Sequence, residues 1–177
     1  MQQADHSIIA ELEDAVRTGS PEERVETLRQ VTNLFLHGGA RLSEDQVKIF
    51  DDVLCLLVAR VESRARAEFG KRLAPVAFAP PAVVRQLAWD DEIAVAGEVL
   101  AHSGRLETGI LVEIASKKGQ GHLLAISGRA DLPEAVTDVI VDRGGRMVIK
   151  KLATNASAPF RKPAIPASSH GPAPTTN

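Results

Sequence analysis

Tyrosine is absent from this 177-residue chain, tryptophan occurs once, and the aromatic residues together make up 3% of it. A core of stacked rings is therefore excluded. It must be built from the Ala, Leu, Val and Ile that dominate a hydrophobic content of 44%, and small or medium side chains of this kind suit closely packed helices. No segment shows the alternation of a half-buried strand, which leaves an all-α fold as the expectation. The single cysteine, Cys55, has no partner for a disulfide; inside the apolar run VLCLLV it reads as a small buried hydrophobe and not as a nucleophile. No apolar run approaches the roughly 18 residues needed to cross a bilayer. The opening MQQADHSIIAELEDA carries acids where a secretory signal would be basic, so a soluble, cytoplasmic protein is expected.

Excess charge is also scarce, with a formal net charge of −2, but it is unevenly spread. Residues 1–70 hold 8 Lys and Arg against 13 Asp and Glu, whereas 117–162 hold 9 against 4. This mild basic bias is too weak by itself to mark a nucleic-acid binder.

Helix signals fill the first half. Ile8, Leu12, Ala15 and Val16 repeat at helical spacing up to Gly19. Ser20-Pro21-Glu22-Glu23 is a capping box with Pro at the first helical position, opening a helix that runs to Gly38-Gly39. Ser43-Glu44-Asp45-Gln46 opens another, with Val47, Phe50, Leu54, Leu57, Val58 and Val61 on its apolar stripe, and the pattern carries on to Leu73. The segment PVAFAPP then breaks the regime, and Pro81 suits the first turn of the next helix.

From Pro81 onward the chain repeats itself at a spacing of 26 residues. Val84, Ile110 and Val136 form one column, Ala88, Ile114 and Ile140 a second, Leu100, Ile126 and Leu152 a third, and Leu106 and Leu132 mark the entry to the following units. Each unit holds two short helices, near 81–89, 107–116 and 133–142 for the first and near 93–102, 120–128 and 146–154 for the second. A two-helix unit of this length cannot bury its own apolar stripe, whereas stacked neighbours make one continuous core. The expected architecture is a short, right-handed α-solenoid of antiparallel helix pairs over 75–158, continuous with an N-terminal helical cap over 1–74. Residues 159–177, rich in Pro, Ala, Ser and Thr, read as a disordered tail.

The stretches FGKRLAPVAFAPPAVVRQLAWDDEIAVAGEVLAHSGRL and GHLLAISGRADLPEAVTDVIVDRGGRMVIKKLATNASAPF carry a specific resemblance. Between about Ser43 and Phe160 the chain resembles an uncharacterised, mainly alphaproteobacterial domain-of-unknown-function family of HEAT-like helical repeats. The shared elements are a Pro-Pro helix start, an Asp-Glu turn, an apolar pair before a Ser turn, a His-Leu-x-Ala-Ile helix and a final Leu-Ala-x-Asn. The resemblance implies a short α-solenoid and, by analogy, a binding role; it brings no catalytic residues with it.

The stretch SKKGQGHLLAISGR invites comparison with a phosphate-binding loop. Such a loop needs a preceding strand and a Gly-rich run ending in Lys-Ser/Thr, and neither is present; the repeat register makes GQG an inter-helix turn. A weaker anion site survives as an expectation, with helix N–H groups near Gln120 beside Lys117 and Lys118. His122 takes the place of Ala96 and Val148 in the register and is expected to tie adjacent turns by a hydrogen bond. Trp89 is expected to fill space between hairpins, with Asp90 or Asp91 capping the following helix. The basic residues Lys117, Lys118, Arg129, Arg143, Arg146, Lys150 and Lys151 read first as solvated helix ends, and second as an edge able to meet an acidic or phosphate surface. No two histidines have metal-ligand spacing, and no cofactor is expected.

These patterns combine into an expected non-enzymatic protein that presents the groove of its second helices to an unidentified protein partner. Trp89, Lys117, Lys118, His122, Arg143, Arg146 and Lys150 are its candidate binding residues. Nucleic-acid or phosphate binding through the C-terminal basic edge is the alternative, and an exposed apolar end on the stack would allow a homodimer.

Overall fold

The computed structural model describes residues 18–159, which form nine α-helices and one 3-10 turn and no strand. The helices are α1 (Pro21–Gly38), α2 (Glu44–Val58), α3 (Ser63–Leu73), α4 (Pro81–Ala88), α5 (Ile93–His102), α6 (Thr108–Lys117), α7 (Gln120–Ile126), α8 (Glu134–Arg143) and α9 (Arg146–Ala153). The helix expected up to Gly19 and the disordered tail lie outside the described residues, apart from their inner ends. Both N-terminal capping boxes form: Ser20 Oγ accepts from Glu23 N at 3.2 Å while Glu23 Oε2 accepts from Ser20 N at 2.7 Å, and Ser43 pairs with Gln46 in the same way. The helix expected to continue from Ser43 to Leu73 does not. It stops at Val58 and restarts at Ser63, because the intervening turn buries Val61 and presents its carbonyl to Arg66 Nη1 at 2.9 Å.

Helices of 7 to 10 residues are too short to persist alone, so packing decides their stability. α3, α5, α7 and α9 pack successively on one another in one row; in the other, α2 packs on α4 and α6 on α8. Cross-contacts join α4 to α5, α6 to α7 and α8 to α9, and α1 covers α2 and α3. The 26-residue columns are the interior: Val84, Val136, Ala88, Ile114, Ile140, Leu100, Ile126 and Leu152 are all buried, and Ile110 is half-buried against them. At about 1.5–3 kcal/mol for each large aliphatic side chain removed from water, these columns outweigh any single polar contact. Close approach needs small residues at the crossings. A Cβ on Gly70 of α3 would lie 3.3 Å from Val95 O and from Val99 Cγ2 on α5.

The polar atoms of the turns keep the same register. Arg105 Nε donates to Ala79 O at 3.0 Å, Arg129 Nη2 to Ser103 O at 2.9 Å, and Asn155 Nδ2 to Arg129 O at 2.7 Å, each bond spanning 26 residues. The Pro-led start of α4 lacks a local side-chain cap. Asp51 of α2 supplies one from a distance: its Oδ2 accepts from Ala82 N at 2.8 Å and its Oδ1 from Val83 N at 2.7 Å. A buried carboxylate thus satisfies two of the N–H groups that a helix start leaves without partners.

Candidate binding surface

The turns that follow α4, α6 and α8 lie along one edge. Trp89 is the C-cap of α4, Lys118 that of α6 and Gly144 that of α8, so stacking of the units brings their side chains together. Lys117 Nζ lies 5.5 Å and Lys118 Nζ 5.6 Å from the centroid of the Trp89 ring, within the range of cation–π attraction. His122, 5% exposed on α7, places Nε2 2.9 Å from Asp90 O. A carbonyl can only accept, so Nε2 carries the hydrogen in this contact. The structure thus brings Trp89, Lys117, Lys118 and His122 into one cluster. Arg143 joins it through its Nη1, which donates to Ala115 O and, at 3.3 Å, to Lys118 O.

The lysine charges in this cluster are matched by neighbouring carboxylates. Lys118 forms an ion pair with Asp91, whose carboxyl is held below the usual carboxylate range, first by the hydrogen bond from Lys118, then by its charge, with a smaller contribution from His122. Lys117 Nζ stands 3.8 Å from Glu113. Arg66 Nε of α3 bonds Asp90 Oδ2 at 2.8 Å, and Asp90 Oδ1 caps the turn by accepting from Glu92 N at 2.9 Å. Gln120 closes the next joint, accepting from Gly145 N at 2.6 Å and donating to Arg143 O at 2.9 Å. These contacts stitch three successive turns together. The expected anion site beside Gln120 is not formed as such: both lysines face carboxylates and the Trp89 ring, and α7 has seven residues.

Arg129 corrects the expectation of a solvated basic edge. It is 1% exposed; Nη1 donates to Leu100 O at 2.7 Å, and Nη2 donates to Ser103 O at 2.9 Å and to Asp131 Oδ1 at 2.9 Å. The chain turns inward there because α7 ends at Ile126, two residues before the expected Gly128, with Ser127 buried. Arg146, Lys150 and Lys151 stand exposed on α9. Cys55 is half-buried and packs against the core. Burial first, and then the charges of Asp51 and Asp52, push its thiol up to about 12, so it is protonated at neutral pH.

Sequence reasoning missed the exposed apolar residues of the second helices. Ile93 on α5 is 42% exposed, Leu124 on α7 38% and Met147 on α9 66%. Ile93 lies over Gly121 of α7, where a Cβ would meet Ile93 Cγ1 at 3.2 Å. Helical spacing alone gave no signal for these residues, because apolar residues next to a core stripe look the same whether or not a neighbour covers them. Among the described residues a cavity of about 20 Å³ lies between α1 and α3, lined by Val25, Leu28, Thr32, Ala65 and Phe69, room for about one water. No helix among the described residues is long and apolar enough to cross a membrane.

Neither the curated proteins nor the solved structures contain a significant match to the chain. Residues 95–167, from within α5 to beyond α9, match the model of a family described as an uncharacterised protein conserved in bacteria (DUF2336).

Proposed function

We propose that this chain is a non-enzymatic scaffold, a short HEAT-like solenoid that presents the outward side of its second helices to another protein in the cytoplasm. The observation that carries this reading is the exposure of Ile93, Leu124 and Met147 along α5, α7 and α9, beside the exposed cations Arg146, Lys150 and Lys151. Apolar side chains bordered by charge are the composition of a contact surface, and the basic border favours a partner segment that is apolar and acidic. The Trp89 cluster supports the same reading: its polar groups bond one another across the turns, which makes the scaffold rigid. Rigidity lowers the entropy lost when a partner binds.

The test is in-cell crosslinking of the full chain, followed by purification, with Leu124→Glu and Met147→Glu as paired variants. Both sites are exposed, so circular dichroism should be unchanged. A protein crosslinked to the wild type and lost from both variants supports the reading. Equal capture by wild type and variants, or none by the wild type, refutes it. Binding of RNA or DNA that falls when Arg146, Lys150 and Lys151 are replaced, with no protein captured, would instead establish the phosphate-binding alternative.

A further inference from the structure

The open end of the stack carries the same columns as its interior joints. Ala115 on α6 is fully buried beneath α8, yet its equivalent one unit on, Val141 of α8, is 52% exposed. Leu123 on α7 is fully buried beneath α9, whereas its equivalent Ile149 is 37% exposed. The polar positions follow suit. Gln120 reaches across to the next unit, bonding Arg143 O and Gly145 N, and its equivalent is Arg146; half-buried Val112 is matched by exposed Asp138. End units of helical stacks usually carry a polar outer face, but this one keeps the apolar columns of an internal interface with nothing stacked on them among the described residues.

We propose that this end face, formed by α8 and α9, is a self-association surface that takes a second copy of the chain. The choice of occupant follows from charge and symmetry. Asp138 lies on one helix of the face and Arg146 on the other, flanking the apolar pair Val141 and Ile149. A two-fold arrangement that lays α8 of one copy over α9 of the other pairs acid with base twice and joins the apolar residues at the centre. The face is its own complement, as an isologous contact requires. Helices of 10 and 8 residues are about 15 and 12 Å long, so the area is at the small end of specific interfaces, and association is expected in the micromolar range. Arg146 borders both surfaces, but the apolar pair Val141 and Ile149 that carries this inference is distinct from Ile93, Leu124 and Met147, so the inference does not depend on the proposed scaffold role.

Sedimentation equilibrium of the full chain, from about 1 to about 200 µM to bracket that range, tests the proposal. The wild type should reach dimer. Val141→Arg and Ile149→Arg should each be monomeric with an unchanged circular dichroism spectrum. Asp138→Arg and Arg146→Asp should each weaken association about tenfold, as expected for two symmetry-related surface pairs, and the double replacement should restore it. A full chain that stays monomeric, or a dimer indifferent to Val141→Arg, overturns the proposal. So does a full chain that dimerises only after removal of residues 160–177, since that segment would then be the occupant. Failure of the double replacement to restore association overturns the crossed pairing of α8 with α9.

Discussion

Replacement of Arg129 by alanine should cost far more than its surroundings suggest. Its guanidinium is buried and holds two main-chain carbonyls at the end of α5, Leu100 O at 2.7 Å and Ser103 O at 2.9 Å, while its ion-pair partner Asp131 is 71% exposed. Two effects therefore compete for the credit. The ion pair faces water on one side, and pairs with an exposed member contribute about 0–1 kcal/mol. The carbonyls have no alternative partner when the side chain is cut back, and each buried acceptor left unsatisfied costs about 1–3 kcal/mol. Together with the lost packing, Arg129→Ala should cost about 3–5 kcal/mol. For a chain of this size that lowers the thermal midpoint by roughly 6–20 °C, at about 2–4 °C per kcal/mol. Asp131→Ala should cost no more than about 1 kcal/mol. Urea unfolding followed by circular dichroism measures both. The carbonyl argument is wrong if Asp131→Ala costs as much as Arg129→Ala, or if Arg129→Ala costs under about 1 kcal/mol, as at a surface position.

Two other replacements read out long-range contacts of the turns. Asp51→Ala removes the side-chain cap of α4 and takes away the acceptors of Ala82 N and Val83 N; it should cost about 2–4 kcal/mol in the same urea experiment, above the usual cost of a lost cap because the site is buried. Asp91 governs a pH dependence. Its carboxyl is held below the usual range in the fold by the hydrogen bond and charge of Lys118, so the native state releases its proton more readily than the unfolded chain. The stability this adds is present above the unfolded value near 3.8 and disappears as pH falls through the lower, folded value. Thermal midpoints measured from pH 6 down to pH 2 should show a smaller acid-side decline in Asp91→Asn than in wild type, and parallel curves would show that the pair with Lys118 has no such role.

The helices were legible in the sequence because their signals are local. Ser20 with Glu23, Ser43 with Gln46, and Pro81 mark starts that the structure places at those residues, and the 26-residue columns name the buried interior because burial repeats when the units stack. His122 was recognised as a tie between turns because it interrupts an apolar column, and its contact with Asp90 O is such a tie. What stayed hidden was long-range and polar. Nothing near Asp51 announces that it caps a helix 31 residues away, and Arg129 has the local setting of any basic residue after a helix. Burial of a charged group depends on what stacks above it, and one unit read alone does not contain that information.

The departures from the repeat also account for the exposure of Met147 on α9. In the joint between α5 and α7, Ile93 lies over Gly121, 3.2 Å from where its Cβ would be. One unit on, the same two positions are Gly119 and Met147, so the bulky and small residues have changed places. Nothing lies within 4 Å of a Cβ placed on Gly119, and Met147 is 66% exposed. The exchange does not rebuild the contact, because Met147 is not held over Gly119 as Ile93 is held over Gly121. It leaves an open notch beside a long, adaptable side chain of the kind that fits irregular partner surfaces. A stack maintained only for its own stability would fill that notch, since added apolar burial at no loss of register would be favourable. On the proposed scaffold reading, the open notch, the exposed Met147 and the exposed Arg146, Lys150 and Lys151 of α9 belong to one contact surface, and filling the notch by Gly119→Leu should weaken capture of the partner without lowering stability.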